Sequence, residues 1–290
     1  MFLIMTNQIQ TASEAKNSNR TSTLAHETRK NKQRLSMLVI ATLVLAAVFT
    51  SCDDNDDDNN GKVKLPETIT NRDGNYTKFE YDSQMRITKN FEYRNGILYL
   101  TNTLTYIGND LVKMVLEYQN DTYTEEYAKE GNEITITYYD DIGYLSGTNI
   151  LYLNNDGFPD KYDFILGHNL GVVNNYTIQS GNITKIMSTQ VHWEITEKDG
   201  SVNYKYDDKK SPFTHCATPK WWNIITRNVL MYNLDVEFGC KNNVIEENRI
   251  NIYWKGSSTN GKVEYTYEYD SDGFPTKLTS GNNVVTFQYK

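Results

Sequence analysis

Residues 267–277 read Tyr-Glu-Tyr-Asp-Ser-Asp-Gly-Phe-Pro-Thr-Lys, and this stretch decides the fold. It has the pattern of a strand that ends at Tyr269, a tight turn from Asp270 to Gly273, and a second strand that starts at Phe274. In such a turn the Asp side chain can accept backbone N–H bonds, and Gly adopts the positive φ that other residues disfavour. The stretch therefore predicts a β-hairpin.

Variants of this turn unit recur along the chain. Residues 139–145 and 153–159 repeat the pattern of residues 269–275, and residues 81–87 keep Tyr-Asp but place Met where Gly is expected. Residues 206–213 form a fifth, degenerate copy. Asn-Gly and Asp-Gly pairs, which are typical of tight hairpins, separate many of the segments between the copies.

Those segments alternate between apolar or aromatic residues and Thr, Glu or Lys, which is typical of an antiparallel sheet with one buried face. The 22 Tyr suit half-buried strand positions, where the ring packs and the hydroxyl reaches water. The sequence therefore predicts an all-β protein, an antiparallel meander of stacked hairpins that forms a curved sheet or an open barrel. Residues predicted to share a face are Val263, Tyr265, Tyr267 and Tyr269 in one strand, and Ile134, Ile136 and Tyr138 in another.

The segment from residue 212 to residue 240 departs from this pattern. Residues 219–232 have apolar side chains near helical spacing and begin with Pro219, which predicts a short inserted helix that covers the concave side of the sheet. Trp221 and Trp222 are adjacent and cannot both face the same way on a helix, so we expect one of them to be exposed for ligand binding. The alternative is that both belong to the core.

The N-terminal part of the chain predicts an export signal. An apolar run of 12 residues, 38–49, follows several basic residues and is too short to span a bilayer comfortably. It ends in Thr-Ser-Cys52, which resembles the lipobox of bacterial lipoproteins; an ordinary signal peptide with an incidental Cys is the alternative. We predict a leader and signal peptide over residues 1–51, an acylated Cys52 with a disordered acidic tether over residues 52–64, and one β-meander domain over residues 65–290.

Charge and cysteine content agree with export. Residues 1–51 hold six Lys or Arg and two Asp or Glu, so their removal changes the formal net charge from −8 to −12. Such a chain is a poor candidate for binding nucleic acid, whose phosphates need a basic surface. Cys216 and Cys240 form an even pair, which predicts a disulfide in an oxidising compartment. Two buried thiols are the alternative.

The turn units resemble the Tyr-Asp (YD) repeats of RHS-type proteins. Together with the motif at Cys52, they are more similar still to outer-membrane lipoproteins of unknown function from Bacteroidetes that carry degenerate Tyr-Asp-x-x-Gly units. The resemblance covers residues 76–290 and implies an all-β scaffold without catalytic residues. It also implies that the acidic run at residues 53–58 directs the protein to the outer face of the outer membrane. A solvated spacer facing the periplasm is the alternative.

The sequence contains no paired Cys or His-Glu-x-x-His motif for a metal, no Gly-x-Ser-x-Gly nucleophile and no phosphate-binding loop, so we expect no cofactor or metal. We expect a non-catalytic envelope protein, attached to the membrane through lipid on Cys52, that binds a glycan or another surface component. A periplasm-facing carrier of a lipid or apolar ligand is the alternative hypothesis, and a hydrolase with a site assembled from distant residues is the third. The sequence leaves the oligomeric state open.

Overall fold

The computed structural model of the protein describes residues 63–165, 170–192, 198–225, 239–254 and 257–290. Within these ranges the chain forms 17 strands and one short helix. The elements are β1 Pro66–Asn71, β2 Tyr76–Tyr81, β3 Ile87–Arg94, β4 Ile97–Ile107, β5 Asp110–Tyr118, β6 Asp121–Glu130, β7 Glu133–Tyr139, β8 Leu145–Leu153, β9 Pro159–Ile165, β10 Leu170–Gln179, β11 Asn182–His192, β12 Lys198–Tyr206, α1 Lys220–Ile225, β13 Val244–Trp254, β14 Ser257–Glu264, β15 Thr266–Tyr269, β16 Pro275–Ser280 and β17 Asn283–Tyr289.

The strands form one antiparallel meander whose two ends meet. Each strand from β1 to β13 pairs with the next, β15 pairs with β16, and β16 pairs with β17. β17 then pairs with β1, with Phe287 opposite Ile69. The sheet is therefore barrel-like and nearly closed, with its apolar side chains inside. The predicted all-β meander is confirmed.

The turn unit of residues 269–275 has the expected hydrogen bonds. Asp270 Oδ1 accepts from the backbone N–H of Asp272 and of Phe274, each at 2.9 Å, and Gly273 has a φ of +80°. The same side-chain bond to the residue four positions on recurs at Asn71, Asp82, Asp140 and Asn154. In the Asp82 unit Met85 adopts the position that Gly fills elsewhere, with a φ of 63°.

Asp270 should therefore be important for stability. Burial alone would raise its pKa, but hydrogen bonds from Lys64 and from the Phe274 and Asp272 N–H groups outweigh burial and lower the pKa below its usual value. We expect Asp270→Ala to lower the free energy of unfolding by about 1–3 kcal/mol, because two backbone N–H groups lose their acceptor. Urea denaturation would measure the difference. Asp272→Ala is the matched control, since in the described part of the chain its carboxylate pairs with Lys64 alone, and should cost under about 1 kcal/mol.

Tyrosine hydroxyls hold neighbouring strands together at one end of the sheet. In each case a Tyr at or near the end of a strand donates to a backbone carbonyl at or near the start of the preceding strand, 2.7–2.8 Å away. A ring that packs on the core and a hydroxyl that bonds the backbone account for the preference for Tyr over Phe. The pairs are Tyr81 with Pro66, Tyr106 with Ile87, Tyr206 with Ile183, and Tyr289 with Pro275.

The insert between β12 and β13 closes that same end of the sheet. We call its described parts, residues 207–225 and 239–243, the plug. The Ala217 N–H donates to the Met85 carbonyl at 3.0 Å, the Ile87 N–H donates to Thr218 Oγ1 at 2.7 Å, and the Lys241 N–H donates to the Gly181 carbonyl at 3.0 Å. The plug thus contacts the turn between β2 and β3 and the turn between β10 and β11.

The predicted inserted helix is confirmed in its first part. α1 covers Lys220–Ile225, and residues 226–232 of the predicted helix lie outside the described residues. Trp221, Trp222 and Ile224 are buried in the same apolar cluster as the inward side chains of the strands. The helix therefore packs on the concave side of the sheet, as expected, because a wide one-sided sheet needs an apolar cover.

Candidate functional site

The two tryptophans proposed as ligand contacts are buried in the core. Trp221 and Trp222 are 5% and 0% exposed. Trp222 Nε1 donates to the Tyr127 hydroxyl at 3.3 Å, and the Trp221 ring packs edge-on against the Tyr127 ring. The expectation that one of them is exposed is wrong, because the sheet curves around α1 and covers both. Cys52 lies outside the described residues.

The predicted disulfide between Cys216 and Cys240 is not formed. Both residues are thiols, and each sulfur contacts different groups. Cys216 Sγ donates to Thr218 Oγ1 at 3.3 Å, and burial raises the pKa of this thiol. Cys240 Sγ accepts from the Tyr206 hydroxyl at 3.4 Å. The two residues lie at opposite ends of the insert, and the plug holds their side chains against different strands.

No group of three or more potential metal ligands is found among the residues that the structure describes. His215 has a structural role: its Nδ1 accepts the Lys64 N–H at 3.0 Å, and its ring packs against Phe274. In the described ranges, no helix is long and apolar enough to cross a membrane.

A polar network lies inside the sheet, next to the plug. Glu125 Oε2 accepts from the Tyr127 hydroxyl at 2.7 Å, and the Tyr127 hydroxyl accepts from Trp222 Nε1. Beside them the Tyr138 and Tyr162 hydroxyls are 3.1 Å apart, and Asn149 Nδ2 donates to both at 3.0 Å. Burial raises the pKa of Glu125 to about 7, so this carboxyl titrates in the neutral range.

A second feature opens to solvent where the sheet is incompletely paired. The Tyr265 N–H donates to the Ile245 carbonyl at 3.0 Å, which is the last backbone bond between this chain segment and β13. Beyond it, among the strands that the structure describes, β15 is paired with β16 and not with β13. The gap between them is a groove with a volume of about 510 Å³, which we call the β15 groove.

The β15 groove combines tyrosine rings with charged side chains. The Tyr267 and Tyr269 rings are stacked 5.9 Å apart at 23°, and Ile245 adds a partly exposed apolar surface. The Tyr267 hydroxyl is buried and has no hydrogen-bond partner in the described part of the chain. The charged lining residues are Asp207, Asp208, Lys209, Glu246 and Glu264.

The carboxylates of the groove are already engaged by neighbouring groups. Asp207 accepts from the Tyr269 hydroxyl and from the Lys209 N–H. Hydrogen bonds from Lys262 and Lys205 lower the pKa of Glu246. A general acid at neutral pH needs the opposite shift. The groove therefore presents hydrogen-bond acceptors beside flat aromatic rings.

Sequence reasoning placed these residues on strands but did not identify the groove. The alternation of Tyr265, Tyr267 and Tyr269 was correctly assigned to one inward face. The groove is lined by the degenerate turn unit at residues 206–213, where Lys210 replaces the usual Gly and the chain continues into the plug. The non-repeating segment that follows it, residues 212–240, was the available signal that this copy departs from the hairpin pattern.

No family model matches the chain, and no curated protein matches it. Similar solved structures include a porin-like protein from Bacteroides uniformis, with a TM-score of 0.44 and 12% identity over 78% of this chain and 96% of the other. A porin-like protein from Bacteroides vulgatus has a TM-score of 0.37 and 11% identity over 78% and 99% of the two chains. A TcdB2-TccC3-Cdc42 structure has a TM-score of 0.22 and 15% identity over 77% of this chain and 14% of the other. These low values identify neither a family nor a function for this chain.

Proposed function

We propose that the protein is a non-catalytic binding scaffold, held at the outer membrane by lipid on Cys52 and displayed on the cell exterior. Its ligand is a glycan or another surface component, bound in the β15 groove. The observation that carries the proposal is this solvent-open groove of about 510 Å³, in which stacked tyrosine rings lie beside carboxylates. The volume lies within the range of small-ligand sites.

The state of the charged groups supports a binding role over catalysis. Lys262 Nζ lies 2.9 Å from Glu246 Oε2, and Lys205 Nζ lies 3.0 Å from Glu246 Oε1, so this carboxylate is held ionised. The plug supports display over transport of an apolar ligand. Trp221 and Trp222 occupy the concave side, where a carrier would need an empty apolar cradle.

The contacts of Lys64 and Leu65, near the start of the β domain, support attachment through the preceding residues. The Lys64 ammonium contacts the carboxylates of Asp270 and Asp272, and the Leu65 N–H donates to the Lys290 carbonyl. The described chain thus begins at the end of the sheet that the plug closes, firmly attached to a turn unit. A lipid on Cys52 would attach the domain to the membrane through the predicted tether of residues 52–64.

Two measurements on cells test the anchor and its orientation. We expect Cys52→Ser to move the protein from the membrane fraction to the soluble fraction, because a lipid chain supplies about 0.8 kcal/mol of binding per buried CH₂. We expect protease added to intact cells to remove the wild-type protein while a periplasmic marker stays intact. Membrane retention of the Cys52→Ser variant would contradict the anchor, and full protection of the wild-type protein would contradict display.

A further inference from the structure

The edge of β15 that faces the groove has backbone groups available for pairing. Along an antiparallel strand, successive residues point their N–H and C=O groups to alternate sides. The Tyr265 N–H points towards β13, so the backbone groups of Tyr267 and Tyr269 point the same way, into the groove. In the described part of the chain neither residue donates its N–H to that side.

In the described part of the sheet, β14 and β15 each pair with one strand, on opposite sides, and the other strands pair on both sides. The two ends of the meander are joined by pairing between β17 and β1, so they leave no open edge there. Unpaired strand edges in proteins attract further strands unless they are covered, charged or very short. Here the edge lies within a groove, which restricts access to a segment thin enough to enter it.

We propose that the β15 groove binds an extended polypeptide segment of a partner protein, which pairs with the open edge of Thr266–Tyr269 as an added strand. This inference rests on the proposed function and names the class of its ligand. The four residues of β15 span about 13 Å at 3.3 Å per residue, enough to pair with a segment of similar length. Backbone pairing supplies affinity, and side-chain pockets supply selectivity.

Charge indicates which segment fits. Lys205 and Lys262 neutralise Glu246 from the outer face, so the negative excess lies at the Asp207–Asp208 end of the groove. The Asp208 side chain is 87% exposed, and its carboxylate lies 3.4 Å from the ammonium of the neighbouring Lys209. A segment with Lys or Arg near this end and apolar residues against the tyrosine rings is complementary to the groove.

Synthetic peptides test strand pairing on the full chain purified in detergent. The probe is a fluorescent Val-Lys-Val-Lys-Val-Lys peptide, and its binding is measured by anisotropy. We expect a version N-methylated at alternate residues to bind within about threefold of the parent, because it keeps one free edge. A version N-methylated at every residue should bind at least tenfold more weakly. Equal binding of the two methylated versions would overturn strand pairing.

A charge variant tests the location. Asp208→Lys should weaken binding of the Lys-containing peptide about three- to tenfold and improve binding of a Val-Glu-Val-Glu-Val-Glu peptide. Asp156→Lys is the control, since it makes the same change at an exposed turn between β8 and β9. Identical effects of the two variants would show that the peptide does not bind in the β15 groove. Binding of a neutral oligosaccharide that Asp208→Lys leaves intact, with no peptide binding, would overturn this inference and leave the proposed function standing.

Discussion

Replacing Trp222 by alanine should lower the free energy of unfolding by about 3–5 kcal/mol, the range for truncation of a large buried aromatic residue. Trp222 is fully buried, and its Nε1 donates to the Tyr127 hydroxyl. Its loss would leave a cavity between the plug and the strands. It would also remove the hydrogen bond that the Tyr127 hydroxyl accepts beside Glu125. For a domain of this size, the melting temperature should fall by roughly 6–20 °C.

Two further variants make the Trp222 result specific. Trp222→Phe keeps a ring but removes the indole N–H, so it should cost less than the alanine variant. Ile97→Ala removes an apolar side chain that is 72% exposed, and its stability should stay within about 0.5 kcal/mol of wild type. A Trp222→Ala protein that unfolds at the wild-type temperature would show that the plug is not part of the core.

The second large effect concerns pH. Burial raises the pKa of Glu125 to about 7 in the folded protein, whereas an unfolded Glu titrates near 4.3. Between these values the folded state binds more protons than the unfolded state, so stability falls as the pH rises towards 7 and then levels off. Glu125→Gln removes the charge that must otherwise be buried. At pH 8 we expect this variant to be about 1–2 kcal/mol more stable than wild type, since part of the side chain stays open to solvent.

The gain from Glu125→Gln should shrink as the pH is lowered and vanish only near about pH 3, where the wild-type carboxyl is protonated in both states. Urea denaturation at pH 5, 6, 7 and 8 would measure this difference in the free energy of unfolding. Glu126→Gln is the matched control, because Glu126 lies on the opposite, exposed face of β6. The account is wrong if Glu126→Gln produces the same pH profile, or if Glu125→Gln destabilises the protein at pH 8.

The turn units were the part of the fold that sequence predicted in most detail. An Asp or Asn side chain that accepts two N–H bonds is a local structure, so residues 270–274 are sufficient to specify it. Met85 is the informative exception. It adopts a positive φ because the Asp82 carboxylate holds the turn through the Gln84 and Arg86 N–H groups. A pattern that required Gly would have missed this turn.

The candidate sites depended on long-range arrangement, and there sequence reasoning was less successful. Trp221 and Trp222 had the right spacing for a helix, but their burial depends on how strands far away in sequence curve around them. The thiols of Cys216 and Cys240 likewise have separate environments that the spacing of two cysteines does not reveal. The β15 groove arises because one strand changes partners at Tyr265. None of these features is encoded within a local window of sequence.

Pairing between β17 and β1 has a consequence for the order of folding. Ile69 pairs with Phe287, and the backbones of Leu65 and Lys290 exchange hydrogen bonds of 3.3 and 3.0 Å. β1 therefore has to wait for nearly the whole chain to be synthesised before its second neighbour exists. Contacts this distant in sequence slow folding. The sheet can therefore remain open between β1 and β17 while the chain is still being synthesised. We infer that the sheet closes only after the C-terminal strand has been synthesised.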